Sequence, residues 1–102
     1  MKVVWTRPAI RDLEAIQTYI EFDDQRAATK VISHIFRAAI GLRKSPHIGR
    51  PGRVIHTREL VLVDVPYIVA YRVTAQIVEV LRVLHTARRW PKQLAGTRFS
   101  KT

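Results

Sequence analysis

The chain has 102 residues, 47% of them hydrophobic, and its 18 Lys and Arg against 8 Asp and Glu give a formal charge of +10. This length allows one compact core and is too short for two. The charge favours a polyanionic partner, either nucleic acid or an acidic protein segment, over a membrane surface. Cysteine is absent, which excludes disulfides and cysteine-based metal sites. No apolar run reaches the length of a membrane span and no signal region opens the chain, so we expect a cytoplasmic protein.

The charge is unevenly distributed along the chain. Residues 25–58 hold eight basic residues and no acidic one, whereas residues 1–24 hold three basic and five acidic residues. Residues 59–102 hold seven basic and three acidic residues. The positive field is therefore expected around the second half of the helical region, the loop after it and the sheet.

The first half of the chain predicts a strand and two helices. A strand is expected over residues 1–5, and Thr6 is placed to cap the first helix. Apolar residues spaced by three or four then predict one buried face: Ile10, Leu13, Ile16 and Ile20. The charged residues between them are expected in solvent: Arg11, Asp12 and Glu14. Asp24 can cap a second helix, and the two helices should form an antiparallel hairpin. The apolar stripe of the second helix is Ala28, Val31, Ile35, Ala38 or Ala39, and Leu42.

The second half predicts a loop and three strands. Two prolines and two glycines within residues 45–53 impose turn geometry. Strands are expected over residues 59–63, 66–73 and 77–85, as a meander. A two-residue loop before the last strand would set Arg72 opposite Glu79, whereas a three-residue loop would set Tyr71 there.

The predicted fold is therefore α+β, in the order β-α-α-β-β-β, with a helical hairpin packed on an antiparallel sheet. The other face of the sheet would be open and partly polar. Residues 1–91 form one domain, and the basic tail over residues 92–102 is expected to be mobile or to order on a partner. The last strand and the loop after it, residues 78–91, are the predicted functional edge because strand ends present side chains from a rigid sheet.

Five fragments in this order resemble the RelE/ParE toxin superfamily. They are V-V-W-T-R-P-A-I-R-D-L-E-A-I-Q-T-Y-I at 3–20, G-R-P-G-R at 49–53, T-R-E-L-V at 57–61, P-Y-I-V-A-Y-R-V at 66–73 and V-E-V-L-R-V-L-H-T-A-R-R-W at 78–90. The resemblance implies the toxin of a type II toxin–antitoxin pair, with two helices on a sheet and a small antitoxin that neutralises it. RelE-like members cut mRNA in the ribosomal A site, whereas ParE-like members inhibit DNA gyrase.

The residues favour the ParE-like branch. RNA cleavage without a metal needs a base, an acid and cations for the phosphate. RelE-like toxins supply these with lysines, arginines and a tyrosine or histidine near the C-terminus. Here no tyrosine follows Tyr71 and no lysine lies between Lys44 and Lys92, so His85 is the only acid–base candidate near that end. The ending L-H-x-A-R-x-W-P is also ParE-like, and inhibition by binding requires no cofactor.

Basic and aromatic residues of the sheet half are the candidates for binding the target: Arg50, Arg53, Arg58, Arg72, Arg82, Arg88, Arg89 and Trp90. A helical surface that includes Arg37, Arg43 and Lys44 is the candidate contact for an acidic, amphipathic antitoxin segment. His34, His47 and His56 lack the spacing of metal ligands, so no metal site is expected. Two alternatives remain, a ribosome-dependent mRNA endonuclease that uses His85, and a general nucleic-acid-binding module.

Overall fold

The computed structural model describes residues 1–87 and the backbone of two short strands further on. In chain order the elements are β1 (Lys2–Trp5), α1 (Arg7–Glu21), α2 (Gln25–Gly41), β2 (Arg50–Pro51), β3 (Arg58–Val61), β4 (Tyr67–Val73), β5 (Ile77–His85), β6 (Gln93–Leu94) and β7 (Thr97–Arg98). The first five strands form one sheet in the order β1-β5-β4-β3-β2, and β6 pairs with β7. Two helices packed on a five-stranded sheet confirm the predicted α+β class.

Both predicted helix caps are confirmed. The Thr6 hydroxyl accepts a hydrogen bond from the Ala9 N–H at 3.2 Å and donates to the Leu81 carbonyl at 3.0 Å. The Asp24 carboxylate accepts from the backbone N–H groups of Arg26 and Ala27 at 3.0 and 3.1 Å. Each cap satisfies N–H groups that have no partner inside the helix. Thr6 also ties the start of α1 to β5.

The predicted apolar face is confirmed in α2 and partly wrong in α1. In α2 the buried stripe includes Ala28, Ile35 and Ala39, as expected. In α1 the residue buried in the first turn is Ala9, whereas Ile10 is 45% exposed. The N–H of Thr6 bonds to the Val80 carbonyl, so the first turn lies close against β5. A small side chain fits at this close approach, and the following residue turns outward.

The sheet is mixed rather than purely antiparallel as predicted. β1 joins β5 in parallel, from Lys2 beside Ile77 to Trp5 beside Val80, while β2, β3, β4 and β5 pair in antiparallel fashion. The short strand β2 lies within the predicted loop and pairs Pro51 with Arg58. Proline is tolerated there because β2 is an edge strand, so its missing N–H interrupts no ladder.

Two loop lengths were possible for the hairpin between β4 and β5, and the structure has the two-residue loop rather than the three-residue one. The Thr74 N–H bonds to the Ile77 carbonyl at 2.9 Å, and Arg72 lies opposite Glu79. Further along, the register shifts between Ala70 and Tyr71, where β5 contains one additional residue, Leu81. This β-bulge lets Leu81 pack on the face of the sheet opposite the helices.

Apolar residues are buried on both faces of the sheet. The helix-side cluster joins α1 and α2 to the strands and includes Ile16, Ile35, Val69 and Val80. A smaller cluster lies on the opposite face and consists of Val54, Ala70, Leu81 and Leu84. The face predicted to be open is therefore partly apolar, and the turn after β2 covers part of it through Val54.

Tyr71 holds the loop that follows α2. Its hydroxyl donates to the Pro46 carbonyl at 2.8 Å and accepts from the Gly49 N–H at 2.9 Å. A side chain at Gly49 would lie only 2.6 Å from this hydroxyl, so the close approach requires glycine. Burial raises the pKa of Tyr71, which keeps the hydroxyl protonated as a donor, although the Gly49 N–H and the charge of Arg58 act in the other direction.

Among the described residues, no helix is long and apolar enough to cross a membrane.

The Tyr71→Phe variant tests this anchor. Because the substitution leaves the Pro46 carbonyl and the Gly49 N–H without their buried partner, it should reduce the free energy of unfolding by roughly 1–2 kcal/mol. Urea denaturation followed by circular dichroism measures the change. Ser45→Ala removes an exposed hydroxyl from the same loop and should change stability by less than about 0.5 kcal/mol. Equal effects of the two substitutions would contradict the anchoring role.

Candidate target-binding surface

Arginines and carboxylates line up across the sheet on the face opposite the helices, which we call the open face. Arg50, Glu59, Ala70 and Arg82 are successive neighbours across β2, β3, β4 and β5. Neighbours in adjacent strands point to the same face, so Arg50 and Glu59 share one surface, and Arg82 stands at the β5 end of this row. The next row on the same face contains Arg72 and Glu79. The strand order thus gathers several predicted target-binding arginines on the open face.

Glu59 is the centre of the first ion-pair cluster. One carboxylate oxygen accepts from Nε and Nη2 of Arg50 at 3.2 and 3.0 Å. The other accepts from the backbone N–H of Arg53 at 2.9 Å and from its Nε at 3.3 Å. The Glu59 side chain is 3% exposed, while those of Arg50 and Arg53 are 55% and 46% exposed. The carboxylate is therefore buried beneath two guanidinium groups that still reach solvent.

The pKa of Glu59 lies below its ordinary value. Burial is the largest single influence and would raise this pKa, because it disfavours the charged form. The Arg53 backbone N–H, the Arg50 side-chain bond and the two positive charges together outweigh burial and lower it. Glu59 is consequently ionised at neutral pH and can hold both arginines in place.

Arg82 is bound by Asp12 of α1. Its Nε and Nη2 donate to the two Asp12 oxygens at 2.7 and 2.9 Å, and the Val83 backbone N–H donates to the same carboxylate at 2.9 Å. The pair is mostly withdrawn from solvent, and the hydrogen bonds that Arg82 donates to Asp12 raise the pKa of Arg82 against the effect of burial. The prediction that Asp12 is merely solvated is wrong, because β5 extends past the end of β1 and its backbone edge needs an acceptor.

Arg72 and Arg58 have different partners. Arg72 donates from Nε to the Glu79 carboxylate at 3.1 Å across the β4–β5 hairpin. Arg58 instead donates from Nη1 to the backbone carbonyls of Gly49 and His47 at 2.8 and 3.2 Å. Of the five arginines between residues 50 and 82, Arg58 alone forms no ion pair within residues 1–87.

His85 ends β5, as predicted. Its Nδ1 accepts a hydrogen bond from the Ala87 N–H at 3.0 Å, and its ring meets Tyr67 edge to face with ring centres 5.3 Å apart. With Nδ1 occupied as an acceptor, Nε2 is the ring nitrogen left for proton transfer. Arg88, Arg89 and Trp90 lie outside the described residues, so their predicted role in target binding stays a prediction. The same holds for the tail, where only the pairing of β6 with β7 is described.

A separate groove lies along α2 on the helical side of the molecule. It has a volume of about 760 Å³. Its lining contains two basic residues, a histidine and no carboxylate: Thr29, Lys30, Ile32, Ser33, His34, Phe36 and Arg37. Phe36 is 48% exposed although it stacks on Trp5, with ring centres 5.8 Å apart. Of the predicted antitoxin contacts, Arg37 lines this groove, Arg43 lines a second pocket beside Met1 and Ile40, and Lys44 is exposed.

Comparison with known proteins shows which family this chain belongs to. The model of the family described as the ParE toxin of the type II toxin–antitoxin system parDE matches residues 3–90. The chain belongs to the ParE toxin family. That match spans β1 to β5, the open face with its ion pairs, and the loop after β5. The chain is therefore the toxin of a ParDE-type toxin–antitoxin system.

Individual relatives agree with this family. Y4kP of Sinorhizobium fredii, named as a candidate toxin, is 46% identical over 93 residues, which are 91% of this chain and 96% of that protein. Toxin RelE2 of Caulobacter vibrioides is 38% identical over 87 residues, 85% of this chain and 97% of that protein. A solved structure of the chromosomal ParDE system from P. aeruginosa is similar with a TM-score of 0.75 and 30% identity, covering 83% of this ParE chain and 95% of that chain.

Sequence reasoning missed two carboxylates of this ParE toxin. Asp12 was expected in solvent and Glu59 had no assigned role, yet together they hold three of the predicted target-binding arginines. A usable signal was the small number of acidic residues in the sheet half, since only three follow residue 58 and several arginines there need a partner.

Within the described part of the chain, no group of three or more His, Asp or Glu side chains is placed to hold a metal ion.

The Glu59→Gln variant tests the ion-pair cluster through its pH dependence. Because the pKa of Glu59 is lowered by folding, its stabilising effect is complete above the unfolded pKa of about 4.3 and is lost as the pH falls through the folded pKa. The wild type should therefore exceed Glu59→Gln in unfolding free energy at pH 7, by about 1–3 kcal/mol, and the difference should shrink towards pH 3.

Urea denaturation at several pH values between 3 and 7 measures this difference. Glu14→Gln removes an exposed carboxylate from α1 and serves as the matched control. A difference between the wild type and Glu59→Gln that stays constant across this pH range would contradict the role assigned to the buried carboxylate.

Proposed function

We propose that this ParE toxin inhibits DNA gyrase and blocks replication by binding, and that an antitoxin neutralises it in the cytoplasm. The observation that carries the proposal is the family match together with the state of the sheet region, where Arg50, Arg53, Arg72 and Arg82 are fixed by carboxylates. Side chains held in this way suit a recognition surface, because less conformational entropy is lost when a partner binds. The arginines would contact the target with the groups that face solvent. Arg88, Arg89 and Trp90, which follow β5 in the sequence, are proposed to bind the target as well.

The alternative, a ribosome-dependent mRNA endonuclease, has less support from the site. Cleavage through the 2′-hydroxyl needs an acid and a base in addition to cations. Four of the five arginines of the described sheet region form ion pairs with carboxylates, which reduces the positive charge available to a transition-state phosphate. His85 could act through Nε2 alone. The family match does not support the third alternative, a general nucleic-acid-binding module. Such a module would bind DNA or RNA without arresting growth.

The antitoxin is proposed to occupy the α2 groove. The groove combines an exposed aromatic ring at Phe36 with the positive charges of Lys30 and Arg37. An amphipathic acidic helix fits such a site, since its apolar side chains would cover Phe36 and its carboxylates would meet the basic rim. Arg43 and Lys44, at the end of α2, would extend the contact towards β1.

The gyrase proposal is tested with purified toxin in a supercoiling assay. We expect supercoiling to stop at a stoichiometric excess of toxin over gyrase. The Arg88→Gln, Arg89→Gln, Trp90→Ala triple variant should weaken inhibition at least tenfold, because it removes two charged contacts and an aromatic anchor. Arg26→Gln, at the other end of the molecule's basic region, should inhibit like the wild type. Supercoiling that continues unchanged in excess wild-type toxin would overturn the proposal.

His85→Ala separates gyrase inhibition from mRNA cleavage. If the toxin acts on gyrase, induced expression of His85→Ala should still arrest DNA synthesis, with a potency within about threefold of the wild type, because only the local contacts with Ala87 and Tyr67 are lost. Separate pulse labelling of DNA and protein synthesis in the first minutes after induction provides the readout. Loss of toxicity in His85→Ala, with translation collapsing first in the wild type, would support the endonuclease instead.

Phe36→Glu tests the antitoxin site. The substitution removes apolar contact and places a negative charge where an acidic segment is expected, so the affinity for the cognate antitoxin should fall at least tenfold. Isothermal titration calorimetry measures the affinity. Phe22→Glu is the matched control, because Phe22 is 90% exposed at the turn between the helices and does not line the groove. Equal losses in the two variants would exclude a specific role for the α2 groove.

A further inference from the structure

Arg58 differs from the other arginines of the described sheet region in having no carboxylate. Both hydrogen bonds of its guanidinium within residues 1–87 leave from Nη1 and end on backbone carbonyls, at Gly49 and His47. A carbonyl orients a guanidinium but does not neutralise its charge, so one full positive charge remains at a half-buried position. The Nε and Nη2 groups keep N–H donors that these two bonds do not use.

A shallow pocket of about 370 Å³ surrounds this charge. Its lining includes Arg58, two histidines and no acidic residue: His47, Pro51, His56, Thr57, Arg58 and Val73. His47 comes from the loop after α2, and His56 and Arg58 come from the segment that enters β3. Besides the guanidinium of Arg58, each imidazole ring offers hydrogen-bonding nitrogens to this pocket.

The backbone fixes the two sides of the pocket. His56 has a φ of 61°, a left-handed conformation that costs a residue with a Cβ about 1 kcal/mol or more. The turn is held by the Gly52 N–H, which bonds to the Thr57 carbonyl at 2.8 Å, and by the Thr57 hydroxyl, which donates to the Val54 carbonyl. Opposite, Tyr71 and Arg58 hold the loop that carries His47. Donors on two anchored segments therefore face one space.

We infer that this pocket, defined by His47, His56 and Arg58, binds a phosphate group of a nucleic acid backbone. Polar side chains from two separate segments suit the diverging oxygens of a tetrahedral phosphate better than the two coplanar oxygens of a carboxylate. Residues 25–58 contain no acidic residue that would repel the phosphate. The inference goes beyond the proposed function, because a phosphate contact would serve the toxin on gyrase-bound DNA and on ribosomal RNA alike.

The α2 groove explains why an acidic peptide is the less suitable ligand here. A peptide segment gains much of its binding energy from apolar contact, which Phe36 offers on α2. The pocket around Arg58 offers Pro51 and Val73 as apolar residues and is otherwise polar. Two exposed imidazole rings beside a phosphate site can additionally stack on a sugar or a base of a single strand.

The first experiment titrates the purified full-length toxin with sulfate and follows the side-chain resonances of Arg58, His47 and His56 by NMR. We expect the resonances of all three residues to shift along one saturable binding curve, because a single anion would contact all three. Shifts that are confined to Arg58, or that do not saturate, would contradict the shared site.

The second experiment measures binding of a 12-nucleotide single-stranded DNA by fluorescence anisotropy at several salt concentrations. Arg58→Gln should weaken binding about tenfold and reduce the slope of log K against log salt by about 0.7, the value for one lost phosphate contact on a single strand. Because Arg58→Gln also frees the loop after α2, the double variant His47→Gln, His56→Asn keeps Arg58 and its bonds. It replaces both imidazole rings and should weaken DNA binding by about threefold or more. The protein should stay folded, since Asn tolerates a left-handed conformation.

Arg26→Gln, at the far end of α2, is the matched control and removes the same charge outside the pocket. Its affinity for DNA should stay within about threefold of the wild type. Equal losses in Arg58→Gln and Arg26→Gln would overturn the inference, because binding would then follow net charge alone. Stronger competition with sulfate by hexaglutamate than by an oligonucleotide of equal charge would also overturn it, in favour of a carboxylate site. These assays contain no gyrase, so their outcome is independent of the proposed target.

Discussion

The bonds that Glu59 accepts from Arg50 and Arg53 determine how residues 50–57 lie against the sheet. Because both guanidinium groups converge on one buried carboxylate, β2 stays paired with β3 and the turn after it folds back over the open face. That turn brings Val54 onto the small apolar cluster and leaves His56 at the rim of the pocket beside Arg58. A single carboxylate thus organises an ion-pair cluster, part of the core and a candidate ligand site.

Carboxylates on this toxin hold arginine side chains in place without cancelling all of their positive charge. Arg50 and Arg53 share one carboxylate, so their cluster keeps a net positive charge that solvent, or a partner, can reach. Arg72 and Arg82 each have their own carboxylate, and a target that binds them must share them with Glu79 or Asp12. Such pairs contribute shape and orientation to recognition more than Coulomb attraction. Arg58, which forms no ion pair within residues 1–87, keeps its full charge.

Local chemistry explains which parts of the fold the sequence predicts. The capping side chains of Thr6 and Asp24 act within one helical turn, and a two-residue loop is enough to set Arg72 opposite its partner, so these features follow from neighbouring residues. The role of Asp12 depends on Arg82, which lies 70 positions later and becomes a neighbour only when α1 crosses the end of β5. The burial of Glu59 likewise depends on a turn whose path sequence patterns did not indicate. Long-range contacts of this kind leave no periodic signal.

The parallel pairing of β1 with β5 affects the order in which the toxin can fold during synthesis. Lys2 lies beside Ile77 and Trp5 beside Val80, so the first strand of the sheet to be made pairs with the last one. At roughly 5–20 residues per second, several seconds separate their synthesis. Throughout that time the edge of β1 and the part of α1 that packs on β5 have no native partner, and closing the intervening loop is the slow, entropically costly step. A nascent toxin therefore cannot present a finished sheet, and an antitoxin already in the cell has time to meet it first.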